Sequence, residues 1–121
     1  YKDGLSTRMS QRYGGEEPSL GQWQKIAIAR IFYRDSSVMI LDEPTASIDA
    51  VSEYKIFNEL YRAITGKTLI IVSHRFSTVR NAERILVLDN GNVAESGTHE
   101  ELLELDGLYS HSFRLQAKGY N

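Results

Sequence analysis

No cysteine occurs in the 121 residues, so neither a disulfide nor a thiolate metal site can be built, and the usage suits a reducing compartment. A basic surplus is also missing. Fourteen Lys and Arg stand against 16 Asp and Glu, a formal charge of −2, which offers nucleic acid no attractive field, and no nucleic-acid partner is expected. Long apolar runs are absent too. The longest, such as Val38–Leu41 and Leu69–Val72, fall far short of a bilayer's thickness. No basic-then-apolar leader opens the chain, which begins at Tyr1-Lys2-Asp3-Gly4 without a methionine and so reads as an excised piece of a longer protein. What is present is ordinary for a globular protein: 41% hydrophobic and 25% charged residues, in a length that buries roughly two-thirds of its unfolded surface.

Residues 1–18 are polar and carry Gly4, Gly14 and Gly15 before Pro18, which predicts loop with at most a helical turn. Ser19-Leu20-Gly21-Gln22 then fits a capping box, with Ser19 as N-cap and Gln22 three residues on. Trp23, Ile26, Ala27, Arg30 and Ile31 follow at helical spacing and predict an apolar face on a helix that Asp35-Ser36-Ser37 ends. Val38–Leu41 and Thr68–Val72 read as strands buried on both faces. Between them a helix over about 50–64 places Val51, Tyr54, Phe57, Leu60, Tyr61 and Ile64 on one stripe, with Gly66 set to cap it. A short helix over Thr78–Ala82 and a strand over Arg84–Asp89 come next. Asn90-Gly91 then predicts a hairpin into Asn92–Ser96. Thr98-His99-Glu100-Glu101 is a second capping box, opening a helix through Leu105; Asp106-Gly107 breaks it before a last helix over Leu108–Ala117. Buried strands alternating with helices imply an α/β fold, a parallel sheet flanked by helices with an antiparallel edge hairpin. All three strands before the hairpin are expected to run parallel.

Three places invite chemistry. Asp42-Glu43 directly follows a strand, where open α/β sheets gather ligands. Alternation sends the two carboxylates different ways, so one could hold Mg²⁺ and the other polarise a water, or the pair is a solvated turn stopped by Pro44. Ser73-His74-Arg75 follows the next strand, and His74 could donate to a phosphate oxygen or be a hydrogen-bonded strand-end residue. A Ser73–His74 hydrolase pair is disfavoured, because adjacent residues rarely make that contact and no Gly-x-Ser-x-Gly elbow exists. The helix start at Ser19 offers free N–H groups to an anion, with Gly21 permitting close approach, or is an ordinary cap.

Taken in order, Pro-Ser-Leu-Gly-Gln, Ile-Ala-Ile-Ala-Arg, Val-Met-Ile-Leu-Asp-Glu-Pro-Thr, Ser-Ile-Asp and Val-Ser-His-Arg resemble the ATP-binding-cassette (ABC) ATPases throughout residues 4–105. The resemblance places the signature motif on Ser19, Gly21 and Gln22, and Walker B on Val38–Asp42. It places the catalytic glutamate on Glu43, the D-loop on Ser47-Ile48-Asp49 and the switch histidine on His74. It implies the C-terminal part of a RecA-like P-loop NTPase domain: 1–34 as the end of a helical subdomain with the signature helix, 35–121 as part of the ATPase core. Glu43 and His74 would be catalytic, Asp42 would orient Mg²⁺ through water, and Ser19, Gly21, Gln22 and Asp49 would serve the bound nucleotide. ATP and Mg²⁺ are the implied cofactors. The stretch from Ala82 to Gly91, with Glu95–Leu103, resembles the ending of exporter-type cassettes, and Gly21-Gln22-Trp23-Gln24-Lys25 resembles bacterial peptide or lipid exporters.

The implied partners are a second nucleotide-binding domain, identical or not, and a transmembrane domain at the cytoplasmic face of the plasma or inner membrane. The rivals are an ABC ATPase of translation or DNA repair and a non-catalytic dimerisation module; intact Glu43 and His74 oppose the second. Two departures stand in the signature: Pro18 and Leu20 occupy positions where the family has leucine and glycine, and the Cβ of Leu20 would loosen a phosphate contact. The phosphate loop is missing. Gly66-Lys67-Thr68 imitates it, but Tyr61 sits at the first-glycine position and a helix precedes where a strand should. The chain alone is therefore expected to be inactive, and its uncovered strand edges to favour self-association.

Overall fold

The computed structural model describes residues 3–34 and 36–118, which form two compact units, Tyr1–Val72 and Ser73–Asn121. Asp35, expected as part of the first helix stop, lies outside the described residues. The first helix packs into the same unit as the two strands that follow it.

In the first unit two 3₁₀ turns, Gly4–Ser6 and Gln11–Tyr13, precede helix α1, Leu20–Tyr33. The capping box at its start is complete: the Ser19 hydroxyl accepts from the Gln22 N–H at 3.3 Å, and the Ser19 N–H donates to Gln22 Oε1 at 2.8 Å. The buried face of α1 is rotated from the expected one. Ile28 is buried, with Gly21, Gln24 and Ile31 half-buried on its stripe, whereas Trp23, Ala27 and Arg30 are exposed. Gln24 can occupy an inward position because its carbonyl is used there, accepting from the Ser47 N–H at 2.9 Å.

Strands β1, Val38–Asp42, and β2, Thr68–Val72, pair in parallel, with Met39 opposite Leu69 and Leu41 opposite Ile71. Helix α2, Ala50–Ala63, connects them and presses Phe57 and Leu60 onto Leu41, with Ile31, Tyr61, Ile64, Leu69 and Ile71 around the cluster. Burial raises the Tyr61 phenol above its ordinary pKa. The expectation of strands buried on both faces is corrected here. Val38, Ile40, Ile70 and Val72 keep 55, 68, 47 and 53% of their surface exposed, because among the described residues of this unit the helical core lies on the opposite face. Val51 and Tyr54 on α2 are likewise exposed, and Glu53 takes the buried place in its first turns. Gly66 has φ 79° in the turn after α2.

The second unit opens with helix α3, Phe76–Val79, two residues earlier than expected. Strands β3, Ile85–Asp89, and β4, Asn92–Gly97, form the antiparallel hairpin. Asn90 and Gly91 turn it with φ 48° and 77°, the left-handed pair that this two-residue connection requires. Among the described residues β3 and β4 form a two-stranded sheet. A bulge at Ala94 interrupts the hairpin: Val87 faces Glu95, while Leu88 faces Val93. Helix α4, His99–Glu104, carries the second complete capping box, Thr98 with Glu101, and helix α5, Leu108–Lys118, follows Asp106 at φ 55°. Ile85, Leu102 and Tyr109 form the core, flanked by Phe76, Val79, Ala82, Val87 and Leu103. No described helix is long and apolar enough to cross a membrane.

Candidate functional site

Asp42 and Glu43 stand at the carboxyl end of β1, the end at which parallel sheets offer ligands a crevice. Glu43 is held in an uncommon conformation: its φ is 42°, and its N–H donates to the Val72 carbonyl at 2.8 Å, extending the β1–β2 ladder by one bond. A non-glycine residue at positive φ costs free energy that the surroundings must offset. Here the cross-strand bond and the bond from Ala46 N–H to the Glu43 carbonyl at 3.3 Å fix the turn. Asp42 is exposed and Glu43 half-buried. Among the described residues no three His, Cys, Asp or Glu side chains gather as a metal cage. A lone Asp42 carboxylate still fits Mg²⁺, which keeps several waters and takes its other ligands from a nucleotide's phosphates.

The loop from Pro44 to Asp49 links this site to α1. Pro44, Thr45 and Ile48 are buried, and Ile48 N–H donates to the Thr45 carbonyl at 3.0 Å. A Cβ on Gly21 would stand 2.6 Å from the Ser47 carbonyl oxygen, so the glycine admits this loop; no larger residue fits without displacing backbone. Together Gly21 and Gln24 fasten the candidate signature helix to the candidate D-loop. Gln24 was missed in the sequence, although its polarity on an inward stripe was the available signal. Leu20, beside the Ser19 cap, is exposed. Gln22 spends its carbonyl on the Ser19 N–H, a structural task.

Asp49 is the N-cap of α2, accepting from Ser52 N–H at 2.9 Å. That bond, a second from the Ser52 hydroxyl and the attraction of Lys25 hold its carboxyl below the usual range. Lys25 Nζ also reaches Ser52 Oγ at 3.4 Å, a further tie between α1 and α2.

In the second unit His74 is exposed in the loop between β2 and α3. The Ser73 hydroxyl accepts from Arg75 N–H at 3.1 Å, an arrangement that turns the backbone at His74. The side chain of Gln116 on α5 bonds the same loop, a residue no sequence motif marked.

Comparison with known proteins bears on this arrangement. The ABC transporter family model matches residues 2–46. Over 114 residues the chain is 45% identical to the ATP-dependent lipid A-core flippase of Cupriavidus pinatubonensis, covering 94% of this chain and 19% of the flippase. Over 116 residues it is 47% identical to the mitochondrial potassium channel ATP-binding subunit of Mus musculus, covering 96% of this chain and 16% of that protein. The solved structure of a bacterial Atm1-family ABC exporter with ATP bound superposes with a TM-score of 0.86 at 34% identity, over 97% of this chain and 20% of that one. The chain belongs to the ABC transporter ATPases. It is a C-terminal portion of the exporter-type ATPase domain and spans about a fifth of the length of the relatives it matches. The ABC ATPase portion has the expected α/β class, with a parallel pair, flanking helices and an antiparallel hairpin.

Proposed function

We propose that the intact protein hydrolyses MgATP and couples that hydrolysis to transport across a membrane, with this chain supplying the catalytic carboxylate. The observation that carries the reading is Glu43, set directly after β1 by a positive φ and a cross-strand hydrogen bond, next to the exposed Asp42. In this reading Glu43 is the general base that takes a proton from the attacking water, and Asp42 orients Mg²⁺ through water. The metal, when bound, neutralises charge developing on the transferred phosphoryl group. His74 donates to the γ-phosphate. Ser19 and Gly21 serve the nucleotide held by a second cassette; the Ser19 hydroxyl accepts from Gln22 N–H and keeps its own proton to donate. Asp49 belongs to the loop between the two cassettes. The protein's task is positioning and charge stabilisation, with little covalent work.

The relatives' names support the transport half of the reading: a flippase, a channel's ATP-binding subunit and an exporter. All three names carry ATP, and in this reading the chain works with a transmembrane partner at the cytoplasmic face of a membrane. We also assign residues 1–34 to the end of a helical subdomain and 35–121 to the ATPase core. By itself the chain, which carries no phosphate loop, would not turn over ATP.

The test is Glu43→Gln in the intact protein, which keeps shape and removes the base. Turnover should fall by about 10²–10⁴-fold while nucleotide binding persists. A rate equal to wild type would remove Glu43 from this role.

A further inference from the structure

The loop bearing His74 is clamped from the far end of the chain. Helix α5 presents Tyr109, Phe113 and Gln116 at i, i+4 and i+7, one face of the helix. The two rings meet Phe76 edge to face, at centroid distances of 5.1 Å for Tyr109 and 5.3 Å for Phe113. His99 of α4 closes the group, its Nδ1 lying 2.8 Å from the Tyr109 hydroxyl and its ring 5.2 Å from Phe113. This packing fixes α5 against the residue that starts α3.

One turn further on, Gln116 uses both ends of its amide on the backbone that flanks Arg75. Its Oε1 accepts from the Phe76 N–H at 3.4 Å, and its Nε2 donates to the His74 carbonyl at 3.1 Å. The Phe76 N–H is a first-turn donor of α3, a group with no partner inside its own helix, and the N-cap Arg75 provides no side-chain cap. The two bonds have opposite polarity, so only a side chain that both donates and accepts can make them together. With the Ser73 hydroxyl on the Arg75 N–H, the peptide groups on both sides of Arg75 are anchored, leaving the exposed His74 side chain on a fixed base.

We propose that Gln116 is a positioning residue for His74: through its paired bonds to the His74 carbonyl and the Phe76 N–H, α5 sets where the imidazole is presented. The inference rests on the reading of His74 as the group that meets the γ-phosphate. An alternative task, mere satisfaction of two backbone groups, would stabilise the unit without touching turnover.

The experiment is a double-mutant cycle in the intact transporter, reading kcat and KM for MgATP together with the thermal midpoint. Gln116→Leu keeps the stem and removes both bonds. A loop shift of about 1 Å at a catalytic group can cost up to about 10²-fold, so a fall in kcat of about 10-fold is expected, with KM nearly unchanged. In a His74→Ala background the same change should alter kcat by no more than about twofold, the usual error of additivity, since there is no imidazole left to misplace. Should Gln116→Leu fail to fold, Gln116→Glu retains the acceptor for Phe76 and loses the donor to His74; it should show the same split at smaller size. Unchanged kcat in the Gln116 variants, a rise in KM alone, or a full further loss on top of His74→Ala each overturns the inference while leaving His74 in place. Unchanged turnover in His74→Ala by itself overturns the reading of His74 and this inference with it.

Discussion

The two units solve the same problem with different resources. Ser73–Asn121 closes on itself through short-range devices: a two-residue turn, a capping box, and a glutamate that caps α5 from the hairpin, Glu95 accepting from Leu108 N–H and from Tyr109 N–H at 3.1 Å. Tyr1–Val72 instead pairs β1 with β2 across a whole helix and leaves the outer face of that pair apolar and exposed. Local closure makes a unit that needs little else. Long-range parallel pairing makes one that presents Asp42 and Glu43 at a strand end and leaves one apolar face of the pair uncovered.

That contrast can be broken most directly in the cores. Leu60 and Leu102 are each 1% exposed, so Leu60→Ala and Leu102→Ala should each cost about 2–5 kcal/mol. If the units are separate cooperative bodies, Leu102→Ala will speed amide exchange in β3 and β4 and leave β1 and β2 unchanged; equal loosening of both pairs would abolish the distinction.

The exposed face provides the next test. The chain by itself should self-associate, and Val38→Thr with Ile40→Thr should weaken that association by about tenfold, or roughly 1.4 kcal/mol. Sedimentation equilibrium reads this; one 13.7 kDa species across a wide concentration range would end the idea.

A smaller effect sharpens the account of the second unit. A Cβ on Gly91 would meet nothing within 4 Å, so Gly91→Ala tests the left-handed φ alone. It should cost about 1 kcal/mol in denaturant unfolding, and a neutral result would mean the turn relaxes freely.

The smallest effect concerns Asp49, whose folded pKa is depressed chiefly by Ser52. A depressed carboxylate stabilises fully above its unfolded pKa of about 3.9 and loses that contribution as pH falls through the lower folded value. Acid unfolding should therefore begin at slightly higher pH in wild type than in Asp49→Asn, which keeps the cap and does not titrate; superimposed profiles would deny Asp49 this part.

Much of this was legible in the residues because the signals were local. Ser19 with Gln22, Thr98 with Glu101, and Asn90-Gly91 each act within four residues, and each forms as expected. The strands β1 and β2 were legible as apolar runs, but a run cannot say how many faces are covered. Their outer face is bare because coverage depends on elements outside the run. The inward stripe of α1 was misread for a related reason: Gln24 faces inward only because the Ser47 N–H waits for it. Glu43's positive φ, and the reach of Gln116 across 42 residues to His74, arise from tertiary contact and leave no mark on spacing.

The bulge at Ala94 gives the hairpin slack in length at one place. Leu88 faces Val93 and Val87 faces Glu95, so Ala94 is the one residue between them without an opposite number. With the Asn90-Gly91 turn fixed, deleting it would leave both pairs in place and restore a regular ladder, and Glu95 would keep the face from which it caps α5. Beyond the bulge there is no such slack: a single-residue indel between Glu95 and Gly97 would turn the residues that follow to the other face. Evolution can therefore lengthen or shorten this strand by one residue at Ala94 and keep the hairpin joined to α5, where Gly107 leaves room for the Glu95 carboxylate.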